Sequence, residues 1–245
     1  MISFTKEQFF IVTGASSGLG KATALLLNEL GASVIAIARR EDKLNDLKSE
    51  SKNPDNLYIE VKDLTEDIEG LPKYVKSLKE KYGKFSGMAY CAGIGGIKPI
   101  QAIEMADMET IFNINYFAPI FMTKGFIDRR CNIGQGASVV AIASAGAIGC
   151  DPGMTCYAGS KGALISSMQS ISREVVKQGI RINCVSPTLI STDMAGEIER
   201  EYADGKYPLG LGEPIDVANM IVYLLSNKAK WLTSHNYIVD CGAII

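Results

Sequence analysis

Residues 9–30, Phe9-Phe-Ile-Val-Thr13-Gly14-Ala-Ser-Ser-Gly18-Leu-Gly20-Lys-Ala-Thr-Ala-Leu-Leu-Leu-Asn-Glu-Leu30, decide the fold. A short apolar run ends at a glycine, as a buried strand does. Glycines follow at 14, 18 and 20, and a helical pattern then runs from Lys21 to Leu30 and stops at Gly31. In this succession of strand, turn and helix, glycines signal phosphate binding. Gly14 permits the tight turn, Gly18 lets backbone N–H groups approach a pyrophosphate, and Gly20 allows close helix–strand packing. The helix N-terminus meets the anion with unpaired N–H groups and its positive dipole end. Outside that context the same glycines would make an ordinary turn.

Residues 32–38, Ala-Ser-Val-Ile-Ala-Ile-Ala, form the next strand and complete a βαβ unit. In dinucleotide folds the end of this strand lies beside the adenosine ribose, where NAD-selective proteins place an acidic residue. Here Ala38 holds the position and Arg39-Arg40 follow. A guanidinium suits a 2′-phosphate, being planar, multiply donating and permanently charged. Arg39 therefore favours NADP over NAD as cofactor. The competing reading pairs the two arginines with Glu41 and Asp42 at a solvated helix start.

Strand and helix patterns keep alternating along the chain. A helix is expected over 41–51, a strand over 57–61, a lysine-rich surface helix over 66–82 interrupted near Gly70 and Pro72, and a strand over 85–90. A long helix over 105–130 would carry Asn113 and Asn115 in its middle, with Pro119 as its kink. Asparagine is a poor helix-interior residue because its amide competes for backbone groups, so one of the two is read as positioned for function. Strands over 137–143, 180–185 and 237–240, and helices from Thr155 and over 216–225, complete the pattern. The stretch 191–206 is too charged for a core and suits a short lid over a cleft. The expected architecture is α/β: a Rossmann-type doubly wound parallel sheet with helices on both faces, one domain over 1–245.

Composition narrows the function. A chain of 245 residues, 47% hydrophobic, can bury one sizeable core. Its net charge of −2, without a basic run, argues against nucleic acid or a membrane as partner. No long apolar stretch suggests a leader or a membrane span, so a cytoplasmic location is expected. Six cysteines without a Cys-x-x-Cys pair read as reduced, mostly buried thiols. The lone histidine, His235, excludes a zinc cluster built on paired histidines.

The chemistry is expected in 144–161, Ser-Ala-Gly-Ala-Ile-Gly-Cys-Asp-Pro-Gly-Met-Thr-Cys-Tyr-Ala-Gly-Ser-Lys. Ser144 ends an apolar strand-like run, and Tyr157 and Lys161 fall one turn apart on the following helix. A hydroxyl, a phenol and an ammonium brought together can donate a proton to a carbonyl oxygen or take one from an alcohol. Bringing a tyrosine from ~10 to near neutrality takes roughly 4 kcal/mol. One ammonium at ~4 Å supplies about that much at an effective dielectric of ~20. Taken alone, Tyr-x-x-x-Lys recurs on many helices, and a packed tyrosine beside a solvated lysine is the plain reading.

The parts in combination resemble the short-chain dehydrogenase/reductase family, in its compact single-domain branch. They are Thr13-Gly-Ala-Ser-Ser-Gly-Leu-Gly20, Asp63-Leu64, Ala92-Gly93, Asn115, Ser144, Tyr157 with Lys161, residues 181–187 (Arg-Ile-Asn-Cys-Val-Ser-Pro), and Val239-Asp240 with Gly242. Their order and spacing, from 13 to 242, make the resemblance specific. It implies that Gly14, Ser16, Gly18 and Leu19 line the pyrophosphate and ribose, and Asp63 and Leu64 the adenine. Ala92, Gly93 and Pro187 would lie close to the cofactor, and Ile190 and Thr192 would contact the nicotinamide carboxamide. Tyr157 would be the general acid/base, and Lys161 would hold the nicotinamide ribose and lower the tyrosine pKa. Ser144 would bind the substrate oxygen, and Asn115 would hold a water linking Lys161 to solvent.

The look is nearest to 3-oxoacyl-thioester reductases and related ketoreductases, which implies a small carbonyl or alcohol substrate. Relatives pair through helices corresponding to 105–130 and 155–178, which implies a homodimer or homotetramer. Three departures are notable: Tyr90-Cys91 replaces Asn-Asn before Ala92-Gly93, Thr188 replaces a glycine after Pro187, and Cys241 replaces a glycine after Asp240. They motivate a second reading, a cofactor-binding regulator or scaffold with little catalysis. A sugar-nucleotide epimerase or dehydratase of the longer branch conflicts with the chain length and the glycine spacing.

Overall fold

The computed structural model describes residues 1–192 and 207–243. Seven parallel strands form one sheet: β1 (Phe9–Thr13), β2 (Ser33–Ala38), β3 (Leu57–Val61), β4 (Phe85–Tyr90), β5 (Ser138–Ile142), β6 (Arg181–Pro187) and β7 (Asn236–Val239). They lie in the order β3-β2-β1-β4-β5-β6-β7. The order reverses between β1 and β4, and a parallel sheet that winds both ways from such a point leaves a crevice at its carboxyl edge. The sequence reading of the fold holds.

Why the strands read as near-continuous apolar runs is explained by two-sided burial. In β1 and β2, Ile11, Ile35 and Ile37 point to one face, where they pack with Leu71, Val75, Met122, Phe126, Leu164 and Met168. Phe10, Val12, Val34 and Ala36 point to the other, against Leu27, Leu44, Val217 and Ile221. The helices α1 (Gly18–Glu29), α2 (Glu41–Glu50) and α8 (Pro214–Leu225) cover this second face. Covering the first are α3 (Leu71–Tyr82), α4 (Met105–Phe112), α5 (Ala118–Phe126) and α7 (Thr155–Val175). A single turn, α6 (Gly146–Gly149), precedes α7. Among the described residues no helix is long and apolar enough to cross a membrane. All six cysteines are free thiols.

Two helices differ from the sequence reading. The expected helix over 66–82 is not interrupted by Pro72; it begins there, at Leu71. Proline in a first turn sacrifices no intrahelical donor, so it starts a helix where it would break an interior. The Asp67 carboxylate prepares that start by accepting the Gly70 N–H at 2.9 Å. The expected long helix over 105–130 is instead α4, a π turn at Asn113–Phe117, and α5, ending at Phe126. Its irregularity lies at the asparagines rather than at Pro119, which sits harmlessly in the first turn of α5. The lid expected over 191–206 falls, beyond Thr192, outside the described residues.

Gly20 carries the close packing of α1 on β1. A methyl group there would lie 2.3 Å from the Gly14 carbonyl oxygen and 2.9 Å from that of Thr13, both immovable backbone. Gly20→Ala is expected to push α1 off the strand and cost about 2–3 kcal/mol, in the range of overpacking. Thermal denaturation should show a drop of roughly 5–10 °C for a chain of this size, and an unchanged midpoint would refute the packing argument.

Candidate active site

The carboxyl edge of the sheet opens into a cleft of about 1220 Å³. At one end lies the glycine turn. Gly14 and Gly18 have φ of +67° and +51°, which a side chain rarely adopts. A methyl group on Gly14 would lie 2.9 Å from the Ala92 backbone nitrogen, so only glycine lets β1 and β4 ends approach this closely. Thr13 joins the same ends, its hydroxyl accepting the N–H groups of Cys91 and Ala92, each at 3.1 Å. Ser16, Gly18 and Leu19 line the cleft here, facing Arg39, Asp63 and Leu64. This end is a concave backbone cradle at a helix N-terminus, the form that fits a pyrophosphate.

The two arginines behave differently. The exposed Arg39 guanidinium reaches Asp63 at 3.5 Å. Burial works against the Asp63 charge, but hydrogen bonds from Thr65 and the Arg39 guanidinium hold the carboxyl below its usual value. Arg40 instead folds over the glycine turn and donates to the Ser16 hydroxyl at 3.0 Å and the Ser17 hydroxyl at 2.8 Å. The sequence reading assigns only Arg39, although the signal is the pair.

At the other end Ser144, Tyr157 and Lys161 line one wall. Ser144 follows β5 and accepts the Gly146 N–H at 3.1 Å, which leaves its own proton free to donate. Tyr157 and Lys161 project from the first turns of α7. Lys161 is buried, with 4% of its surface exposed, and donates to the Ile142 carbonyl at 2.7 Å. Burial lowers its pKa to about 8, against the influence of the nearby Cys184 and Cys91 thiols. Those thiols are pushed up to about 12 by burial and stay neutral.

Tyr157 departs from the electrostatic expectation. The Lys161 ammonium sits 6.0 Å from the centre of its ring and its hydrogen bond goes to the backbone. Burial pushes the phenol above its ordinary value, and a hydrogen bond with Ser144 draws it only partly back. From the protein's own groups, then, the phenol keeps its proton at neutral pH.

Asn115 stands apart from the other site residues: it is fully buried behind the cleft wall. Its amide oxygen accepts the Ile94 N–H at 3.0 Å, and its amide nitrogen donates to the Ile94 carbonyl at 2.9 Å and to the Ser160 hydroxyl at 3.2 Å. Gly93 is wedged between Asn115 and Lys161. Pro187, Ile190 and Thr192 close the cleft on the β6 side, with Thr188 beside them. The cleft also includes Ile94, Ile97, Asn113, Asp151, Met154 and Tyr207, none of which the sequence reading assigns to the site. They come from four separate segments; Asn113 stands out beforehand as a poor helix former and Asp151 and Met154 lie within 144–161, but no spacing along the chain marks Ile94, Ile97 or Tyr207.

Comparison with known proteins places the chain in a family. The family described as Enoyl-(Acyl carrier protein) reductase matches residues 14–243. The chain belongs to the short-chain dehydrogenase/reductase family. A 3-oxoacyl-[acyl-carrier-protein] reductase of Rickettsia prowazekii is 33% identical, covering 96% of each chain. An L-rhamnose 1-dehydrogenase (NAD(P)(+)) of Sphingomonas is 32% identical over 96% of this chain and 95% of its own. The crystal structure of a short-chain dehydrogenase/reductase described as a glucose/ribitol dehydrogenase, from Brucella melitensis, superposes with a TM-score of 0.92 at 26% identity over all of both chains. As a short-chain dehydrogenase/reductase, the protein is an NAD(P)-dependent oxidoreductase.

The burial of Lys161 has a measurable price. Its folded-state pKa, about 8, lies below the unfolded value of roughly 10.4, so the buried charge destabilises the fold fully below pH 8. The penalty is relieved as pH rises from 8 towards the unfolded value. Lys161→Met should therefore stabilise the protein at pH 7 by about 2 kcal/mol while removing the ammonium. Thermal denaturation of both forms should show this advantage shrinking between pH 8 and 10; a variant less stable at pH 7 would overturn it.

Proposed function

We propose that the protein is an NADP-dependent reductase of ketones, working reversibly on secondary alcohols. The observation that carries this reading is the protonated Tyr157 phenol beside Ser144 at the same wall of the cleft as Lys161. The nicotinamide supplies the hydride. Ser144, its oxygen held by the Gly146 N–H, directs its own proton toward the substrate oxygen. Tyr157 delivers its proton to that oxygen as negative charge develops, and the buried Lys161 ammonium stabilises the phenolate left behind. In the alcohol direction the same phenolate is the base. Gly14, Ser16, Gly18, Leu19, Asp63, Leu64, Ala92, Gly93, Pro187, Ile190 and Thr192 are proposed to hold the cofactor. The departures at 90–91 do not favour the scaffold reading, since Thr13 and Tyr90 both make hydrogen bonds that tie this strand end down.

NADP is preferred because two guanidiniums border the ribose end of the cleft and no carboxylate follows Ala38 directly. Arg40 is already held over the glycine turn by Ser16 and Ser17, whereas Arg39 is engaged by Asp63. Both would contribute to a 2′-phosphate. The substrate is a small carbonyl compound, and the relatives' names point to 3-oxoacyl thioesters and to sugars as classes to try. Self-association into a dimer or tetramer is supported by the exposed apolar side chains Met108, Phe117 and Val176 along the helical face of α4, the π turn and the end of α7.

Two experiments test the reading. Tyr157→Phe should lower turnover of an acetoacetyl thioester with NADPH, or of L-rhamnose with NADP⁺, by about 10³-fold, a loss typical of a general acid. NADPH binding should be retained; turnover close to that of the parent would sink the mechanism. Arg39→Asp and Arg40→Ala should each weaken NADPH by about tenfold, the loss of one charge-assisted hydrogen bond, and NADH much less. Equal losses for the two cofactors would make the arginines surface residues.

A further inference from the structure

Tyr90 is one of the departures from the family pattern, and it lies behind the cleft at the end of β4. Its ring is buried, with 1% exposed, at the carboxyl end of β4. Its hydroxyl donates to the Ile114 carbonyl at 3.0 Å, inside the π turn at Asn113–Phe117. Burial holds this phenol well above its ordinary pKa, so it is a donor at every working pH. A π turn is an uncommon insertion in an α-helix, and a fixed donor aimed at one of its carbonyls favours this register over the regular one.

Next to Ile114 in the turn is Asn115, which grips Ile94 through both faces of its amide. The segment 91–94 is thereby tied to the same turn at both ends: by the Tyr90 hydroxyl at its start and by Asn115 at its finish. Inside that closed ring sits Gly93. A methyl group there would lie 2.9 Å from the Asn115 amide oxygen and 3.3 Å from the Lys161 ammonium nitrogen. A second arm leaves Asn115 for the Ser160 hydroxyl at 3.2 Å, which donates to the Tyr157 carbonyl at 2.7 Å. Asn115 thus reaches the Tyr157 backbone through Ser160, Lys161 lies across Gly93 from it, and the turn that carries Asn115 orients it.

We infer that Tyr90 is a positioning residue: its hydroxyl fixes the π turn that aims Asn115, and through Asn115 sets Gly93 and the cofactor-facing wall around Lys161. The inference rests on the proposed placement of the cofactor against Gly93 and the Asn115 wall. The plainer account is that Tyr90 fills the core and its hydroxyl merely found an acceptor. The two differ in what removal of one oxygen atom should do. A core-filling role lowers stability and nothing else, whereas a positioning role loosens one loop and weakens the cofactor through Asn115.

The test uses the full chain, NADPH titration by fluorescence, and backbone hydrogen exchange on Tyr90→Phe, Asn115→Ala and the double variant. Phenylalanine keeps the packing of the ring. Tyr90→Phe should raise the NADPH Kd about fivefold, the equivalent of one neutral hydrogen bond. Exchange in 91–95 should quicken about tenfold while β2 and β3 keep their protection. In the Asn115→Ala background the same change should add almost nothing, because the two act in series. Tyr82→Phe, which removes a hydroxyl bonded to Glu60 at 2.6 Å, neither residue lining the cleft, should leave the Kd unchanged. An unaltered Kd in Tyr90→Phe, the same factor in both backgrounds, or faster exchange spread over the whole sheet would each overturn the inference. If Asn115→Ala alone left the Kd unchanged, the reading of Asn115 would fail and this inference with it.

Discussion

An ammonium buried beside the carboxyl edge of a parallel sheet is the constraint on which the rest of the site depends. Lys161 is withdrawn from water and, among the described residues, has one hydrogen-bond partner, the Ile142 carbonyl. Isolated burial of a charge is costly, and the lowered pKa records the cost. The fold tolerates it because α7 is long and well anchored: Leu164, Met168 and Val175 of the same helix are buried against the sheet. Apolar burial of that kind contributes about 1.5–3 kcal/mol for each large side chain, enough to hold a lysine where solvent would not leave it. Lys161 also lines the cleft, where on the proposed reading its remaining donors would meet a ribose hydroxyl or a phenolate.

The surroundings of the lysine are built to keep it a charge without giving it a permanent counter-ion. Cys91 and Cys184 stand nearby as neutral thiols, and among the described residues no carboxylate contributes to its titration. An aspartate in either place would raise the lysine pKa but would also neutralise its field at Tyr157. The bulky wall on the other side is backbone, held by Asn115. A side chain on Gly93 would meet both Asn115 and Lys161, so the space beside the lysine is bounded by the π turn as well as by α7.

What can be read from the sequence divides along the range of the interactions. The βαβ unit, the strand count and the two-sided burial are legible because they arise from local periodicity and from glycines in conformations that side chains rarely adopt. Pro72 and Asn113–Phe117 mislead. A proline looks the same whether it opens a helix or breaks one, and deciding requires the cap, here Asp67 with Gly70. The asparagines stand out as poor helix formers, but the expected kink falls at Pro119, since a π turn has no signature of its own in spacing. Arg40 is visible beside Arg39 without a role of its own, because which of two adjacent arginines turns inward depends on Ser16, Ser17 and Asp63 in other loops. The Tyr90–Ile114 bond spans 24 residues and exists only in the folded chain.

The balance of proton affinities at the cleft also bears on direction. A phenol raised by burial holds its proton, while a lysine lowered by burial gives its own up more readily than usual. With only these groups, the resting site carries a protonated tyrosine beside an ammonium, which is the state needed to protonate a carbonyl oxygen as hydride arrives. Alcohol oxidation needs the opposite state, a phenolate, and the added positive charge of an oxidised nicotinamide favours it. On the proposed reading, this resting state holds the proton that a carbonyl oxygen would need, and the charge of an oxidised nicotinamide would favour the phenolate that the alcohol direction would need. A lysine free in solvent would act on the phenol only weakly, because water would screen its field.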